Sequence, residues 1–305
     1  MQKIVVVGSL NMDIVIETPH MPKRGETISG KNINRVSGGK GANQAYALGK
    51  LGGDVTMIGA VGKDAAGDAL LHNLRSVNVD VSGIRQIENE TTGQAFITVD
   101  DDGDNSIIII AGTNGLVTKE LIDEKADIIK GGDIIIMQFE IPLDIVEYVK
   151  EMAVREGKTV IVDPAPAIPG LPEQFWDGID YIKPNETELA ILTEMNMKTR
   201  EDLIKGARVM IDKGVKNVIV TLGKEGCLLV SRNKEEFYGP YQVKAVDTTA
   251  AGDSFTAAFA LALSQGKPYG EAIMLGQKVS SIAVTRKGAQ TSIPTMQEVQ
   301  AIWKE

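Results

Sequence analysis

Residues 133–163 read DIIIMQFEIPLDIVEYVKEMAVREGKTVIVD. Two apolar runs rich in Ile and Val, at 133–139 and 159–163, bracket an amphipathic stretch. Parallel strands need a long connection back to the same end of the sheet, and a helix supplies it. The stretch therefore predicts strand, crossover helix, parallel strand. Similar runs recur at 4–7, 55–61, 217–222 and 243–246, most of them separated by helix-like segments. Their near-continuous apolarity suits strands covered on both faces. The expected fold is α/β, a mostly parallel sheet flanked by helices, with residues 1–305 forming one domain.

Two segments break this rhythm. Residues 13–35 show short apolar and polar alternation (DIVIET), and residues 93–110 read as a hairpin of GQAFITV, the turn DDDGD and NSIIII. Both look antiparallel and neither is flanked by helices, so they predict a small protruding β-sheet, a lid. The DDDGDN turn resembles the start of a calcium loop, but its glycine is misplaced and no Glu closes it. A solvated hairpin turn is the better reading. One face of Ile107 to Ile110 is free to cover a ligand and the other is left exposed, which predicts a homodimer joined through the lids.

Composition narrows the function. A chain of 305 residues with 43% hydrophobic and 24% charged residues should fold around a sizeable core. The net charge of -9, with Lys and Arg scattered, argues against nucleic acid or an anionic membrane as the partner. The first apolar run turns polar by Asn11 and Asp13, too early for a signal peptide, and no later run reaches the roughly 20 residues of a membrane span. With Cys227 the single cysteine, the expected compartment is the cytoplasm. Two histidines, His20 and His72, leave little material for histidine-based zinc sites or triads.

Ligands of open α/β sheets bind beyond the carboxyl ends of the strands. Polar residues stand at those ends: Asn11 and Asp13, Glu140, Asp163, Asn185 with Glu188, and Thr221. The glycine-rich SGGKGANQAYALG, 37–49, precedes a helix. It fails as a dinucleotide fingerprint, because it does not follow the first strand directly and the spacing breaks at Gln44. It fails as a phosphate-binding P-loop too, since Gly41 rather than Ser or Thr follows Lys40. It remains a wall carrying Lys40 and Asn43, donors suited to hydroxyl groups. The stretch DTTAAGD, 247–253, stands before the apolar SFTAAFALAL. Ala250, Ala251 and Gly252 at a helix start offer unpaired N–H groups to an anion. Asp253 in the first turn is placed to take a proton from an attacking hydroxyl. Such a base with an N–H cradle suffices for phosphoryl transfer when a magnesium nucleotide is bound.

With GGKGANQA, KPNETE, TLGKEG and DTTAAGDSF in this order, the chain resembles the ribokinase-like (PfkB) family of carbohydrate kinases over essentially its whole length. GSLNMD, MQFE, DPAPA and AVTRKGAQTSIP place it near the ribose-phosphorylating branch. The resemblance implies a doubly wound α/β domain with a β-sheet lid, and transfer of phosphate from ATP to the 5-hydroxyl of D-ribose. It implies Asp253 as the base, with the amides of Ala250 to Gly252 holding the phosphoryl group. Asn11, Asp13, Gly39, Lys40, Asn43, Glu140 and Asp253 would grip the sugar. Asn185, Thr221, Leu222, Gly223, Lys224, Glu225, Gly226 and Gly252 would hold the nucleotide. Glu188, with Asn185, belongs to an N-x-x-E element associated with Mg2+ and phosphate. Asp247, Thr249, Ala283, Arg286, Gly288 and Ser292 match a site for a monovalent cation, usually K+. Two positions depart from the family pattern: Ala250, where glycine is frequent, and Asp163, where Asn is frequent. The alternative readings are a kinase for deoxyribose or another small sugar or nucleoside, a sugar-responsive binding protein without catalysis, and a nicotinamide-dependent oxidoreductase. The failed glycine spacing disfavours the last.

Overall fold

The computed structural model describes residues 1–303. Thirteen strands follow the chain as β1 (Ile4–Val7), β2 (Asn11–Glu17), β3 (Asn32–Gly38), β4 (Val55–Gly62), β5 (Asp80–Ile87), β6 (Gly93–Val99), β7 (Asn105–Ile110), β8 (Ile134–Gln138), β9 (Thr159–Asp163), β10 (Tyr181–Ile182), β11 (Asn217–Thr221), β12 (Cys227–Ser231) and β13 (Lys234–Tyr238). Nine of them form one sheet in the order β13, β12, β11, β10, β9, β8, β1, β4, β5. Every pairing from β11 to β5 is parallel, and only the pairings of β12, with β11 and with β13, are antiparallel.

The apolar runs explain this sheet. β1 and β8 are buried at every residue, and alternate side chains feed two cores. Ile4, Val6, Ile134 and Ile136 enter one core, while Val5, Val7, Ile135 and Met137 enter the other. Helix Leu143–Arg155 is the crossover between β8 and β9 that residues 133–163 predict. The strand order reverses at β1 and β8, so the carboxyl ends of these neighbours open a crevice.

The lid is a second sheet in the order β3, β2, β6, β7. Its hairpin partners, β2 with β3 and β6 with β7, are antiparallel as expected. The two pairs are joined by a parallel seam between β2 and β6. The sheet is therefore mixed, because local alternation defines each pair but carries no information on how the pairs meet. Ile107 to Ile110 are all exposed, at 50–65% of their surface, so neither face of β7 is covered within the chain.

The run at 243–246 is not a strand. Its short VKAV segment has no partner strand, and Val243 and Ala245 line a cavity instead. Among the described residues no helix is long and apolar enough to cross a membrane.

Candidate active site

Two cavities meet at Asn185, Thr221, Thr248 and Gly252, which line both. The smaller, about 230 Å³, is also lined by Lys40, Asp163, Lys183, Glu188 and Asp253. The larger, about 360 Å³, is walled by Gly223, Lys224, Gly226, Tyr241, Val243 and Ala251 among others.

Asp253 stands in the first turn of helix Ala251–Ser264 and is almost fully buried. Its two carboxylate oxygens accept from Asn43 Nδ2 and Gln44 Nε2, each at 3.0 Å. Burial pushes this carboxyl above the usual range and the Asp163 charge adds to that, while Lys40 and the two amides pull it back. The donors are themselves anchored. Gln138 Nε2 donates to Gln44 Oε1 at 2.7 Å, and Gln290 Nε2 donates to Asn43 Oδ1 at 3.0 Å. Gln44 Nε2 is shared with Asp163 Oδ2 at 2.9 Å. Lys40, Asn43 and Gln44 reach one side of the helix Lys40–Lys50 because i, i+3 and i+4 positions share a face.

The start of helix Ala251–Ser264 has no side-chain cap. Ala250 caps it with φ 58°, a left-handed conformation that favours glycine. Among the described residues the N–H groups of Ala250, Gly252 and Asp253 find no acceptor, and these are donors for an anion. The Ala251 N–H, the third expected donor, instead reaches Thr248 O at 3.2 Å. A side chain on Gly252 would stand 3.2 Å from Lys183 Nζ, so glycine keeps this end of the pocket open.

The sugar-side candidates gather at the crevice. Glu140 Oε2 accepts from Ser9 Oγ at 2.5 Å and from the Lys40 N–H at 2.9 Å. It thus supplies the acceptor that Gly39, the uncapped start of helix Lys40–Lys50, cannot. Gly39 has φ 86°, and a Cβ there would press on Asn11 N at 2.7 Å. Asn11 Oδ1 accepts from Asn114 Nδ2 at 2.7 Å. Burial, aided by the Glu140 and Asp253 charges, raises the Asp13 carboxyl to about 7. A side chain on Gly38 would overlap that carboxylate. For Lys40 burial opposes the charge, but Asp253, Asp163, Glu140 and Glu188 together raise it.

Asn185 and Glu188 form a capping box: Asn185 Oδ1 accepts from the Glu188 N–H and Glu188 Oε2 from the Asn185 N–H, each at 2.8 Å. The N-x-x-E element is thus a helix cap whose other atoms, Glu188 Oε1 and Asn185 Nδ2, make no bond among the described residues, and both residues line the smaller cavity. Burial raises the Glu188 carboxyl, with Lys183 opposing. An oxygen donor of this kind fits a hard divalent cation. Of the TLGKEG segment, Thr221, Gly223, Lys224 and Gly226 line the larger cavity. Leu222 is buried in the core and Glu225 is exposed, so neither side chain contributes.

Asp247 Oδ1 accepts from Thr249 N and Oγ1, at 2.9 and 2.6 Å, and its Oδ2 from the Gly288 N–H at 2.8 Å. Burial alone would raise this carboxyl, but these donors hold it below its usual range. The loop before the helix is thereby tied to the turn after Ala283, where Arg286 N reaches Ala283 O. Arg286 spends its guanidinium on Glu298 at 2.7 Å, so only its carbonyl is available to a cation. Ser292 Oγ is bonded to Ala289 O at 2.7 Å. Carboxylate and carbonyl oxygens suit an alkali cation. Among the described residues no group of three or more His, Cys, Asp or Glu is placed to hold a metal.

Sequence reading missed Ser9, Asn114, Gln138, Gln290 and Lys183 as site residues. Gln44 was met only as the residue that spoils a dinucleotide motif. Its position four residues after Lys40 was the one signal available.

A doubly wound sheet with a buried carboxylate beside free helix N–H groups, at the crevice of the strand reversal, defines a phosphotransferase acting on an alcohol. The description pfkB family carbohydrate kinase matches residues 1–296. The chain is similar to a ribokinase of Haemophilus influenzae, 39% identical with 97% of this chain and 96% of the relative covered. It is also similar to a deoxyribokinase of Salmonella typhi, 36% identical over 97% and 96%. Among solved structures it resembles Arabidopsis thaliana ribokinase complexed with ribose and ATP, TM-score 0.94, 37% identical, covering 100% of this chain and 99% of that one. The chain belongs to the pfkB family of carbohydrate kinases and is a sugar kinase.

Proposed function

We propose that this enzyme transfers the γ-phosphoryl group of ATP to the 5-hydroxyl of D-ribose, yielding D-ribose 5-phosphate and ADP. The observation that carries the reading is the buried Asp253 carboxylate adjoining the free N–H groups of Ala250 and Gly252 in a cavity continuous with a second, larger one. The sugar lies against Asn11, Asp13, Gly39, Lys40, Asn43 and Glu140, and the nucleotide occupies the larger cavity beside Thr221, Gly223, Lys224 and Gly226. Asp253 takes the hydroxyl proton as the sugar oxygen bonds to the γ-phosphorus; the bond to the bridging oxygen breaks and ADP departs. Ala250 and Gly252 N–H groups face the charge on the moving phosphoryl oxygens, the largest single contribution in such reactions.

Glu188, through its unbonded carboxylate oxygen, is the residue to hold Mg2+, which would neutralise nucleotide oxygens when bound, while the Asn185 amide N–H2 is left to donate to a nucleotide phosphate. Asp247, Thr249 and the carbonyls near Ala283, Arg286, Gly288 and Ser292 are those to hold K+, ordering the loop before Ala250. Residues 1–305 act as one ribokinase-like domain with its lid, and the substrates and the single buried cysteine fit a cytoplasmic enzyme.

A coupled ADP-release assay across ribose, deoxyribose, fructose and adenosine, with and without potassium, tests the substrate. Ribose is expected to give the highest kcat/KM; preference for another sugar overturns this choice. The similarity to a deoxyribokinase makes deoxyribose the competing substrate, since one absent hydroxyl alters only one or two contacts.

The four exposed isoleucines of β7, with Ile33 at 52% exposure on the opposite edge strand, form apolar lid surface that water covers poorly. A second copy of the chain is the partner, lid against lid. Light scattering should return twice the 32.7 kDa chain mass, and a monomer mass refutes it.

A further inference from the structure

Lys183 is a lysine with 5% of its surface exposed, and it faces the smaller cavity. It follows β10, where its N–H is tied to Val162 O at 3.1 Å, so the end of the sheet fixes its backbone. Among the described residues its ammonium makes one ion pair within 4 Å, to Asp163 Oδ1 at 3.3 Å, itself 2% exposed, and it feels the Glu188 carboxylate across the same cavity. The contact is loose: Asp163 Oδ1 accepts no hydrogen bond among the described residues. The other oxygen of Asp163 is engaged by Gln44 Nε2 at 2.9 Å and Thr256 Oγ1 at 3.4 Å. Lys183 therefore keeps N–H donors for something the chain does not supply. A buried ammonium is costly unless its donors are met.

The place of the ammonium indicates what meets them. It stands 3.2 Å from where a side chain on Gly252 would begin, beside a residue whose own N–H finds no acceptor among the described residues. Lys40 and Asp253 line the same cavity. An anion cradled at this helix start would touch Lys183. We propose that Lys183 is a further catalytic residue, an ammonium that binds the γ-phosphoryl oxygens during transfer, and that Asp163 is the positioning residue that holds it there. The inference rests on the phosphoryl-transfer reading above. It adds a cationic arm to the amide cradle and gives a use to the buried Asp163 carboxylate. Through the shared Gln44 amide, the same carboxylate ties this arm to the base.

The test compares Lys183→Met, Lys183→Arg and the double variant Asp163→Asn with Lys183→Met. The double variant removes both buried charges together, so it leaves neither unpaired. Lys183→Met should lower kcat by about 10²-fold, as loss of one charge-stabilising donor does, with KM for the sugar little changed. Calorimetry with a non-hydrolysable ATP analogue should show binding weakened by about tenfold, against little change for ADP, because only the former carries a γ-phosphate. Lys183→Arg should recover part of both. The double variant should melt near the unmodified enzyme yet keep both losses. Return of turnover in the double variant, or equal weakening of ADP and the analogue, would reduce Lys183 to a counter-ion and overturn the proposal. Failure of the underlying reading would look different, as an unmodified enzyme that releases no ADP on any sugar.

Discussion

Replacing Asp253 by Asn is expected to lower turnover by about 10²–10⁴-fold while sugar affinity largely survives, the range for loss of a positioned general base. The amide fits the space of the carboxylate and still accepts one hydrogen bond from Asn43 Nδ2 or Gln44 Nε2, so the local packing is kept. What it cannot do is take the hydroxyl proton. The neighbouring N–H groups of Ala250 and Gly252 belong to the main chain and are untouched, so the residual rate reports the cradle alone. Steady-state ADP release with a parallel sugar titration checks this. Near-normal kcat in a folded Asp253→Asn enzyme would remove Asp253 from the reaction.

Gln44→Leu should have the second largest effect, and it acts on stability and pH dependence together. Gln44 is fully buried, and its one nitrogen serves Asp163 and Asp253 while its oxygen takes the Gln138 amide. Leucine leaves two buried carboxylates short of a donor and Gln138 Nε2 without an acceptor. Hydrogen bonds to charged groups contribute about 1.5–3 kcal/mol each, so a loss on the order of 3 kcal/mol of folding stability is expected. The pH effect has a definite sign. A donor favours the ionised carboxylate, and burial already raises Asp253. Without Gln44 the proton is held to higher pH, the base is ionised over a narrower range, and the acidic limb of the kcat profile moves up. Gln138→Leu touches Gln44 but not Asp253, and should destabilise with a smaller displacement of that limb. An unmoved limb in Gln44→Leu would show that this amide does not govern the base.

These expectations mark where sequence reading succeeded and where it stopped. β1, β4, β8 and β9 are legible because both faces are covered, leaving near-continuous runs of apolar or small residues. β5 at the sheet edge, DVSGIRQI, mixes exposed and buried positions and has no such run. The hairpin of β12 and β13 was passed over because it extends the sheet antiparallel, outside the strand and helix rhythm. Conversely, VKAV at 243–246 has strand-like residues but no edge to join.

The site divides in the same way. Asp253 opens a helix, Glu140 comes two residues after β8, and Asn11 and Asp13 stand at the start of β2, a short step beyond the end of β1, so local order is enough to place them. Gln44 meets Asp253, Gln138 meets Gln44 and Gln290 meets Asn43 across separations of 94 to 247 residues. No local pattern encodes contacts at that range. Asn185 and Glu188 show a third case, where one motif serves as a helix cap and lines the cavity at once, so its sequence alone does not separate the two uses.

The most direct measurement is a crystal structure of the enzyme with ribose, ADP and a fluoroaluminate in place of the moving phosphoryl group. The account predicts the ribose 5-hydroxyl within hydrogen-bond reach of Asp253 and the fluoroaluminate on the N–H groups of Ala250 and Gly252. A sugar whose hydroxyl points away from Asp253, or an anion bound away from that helix start, would contradict it.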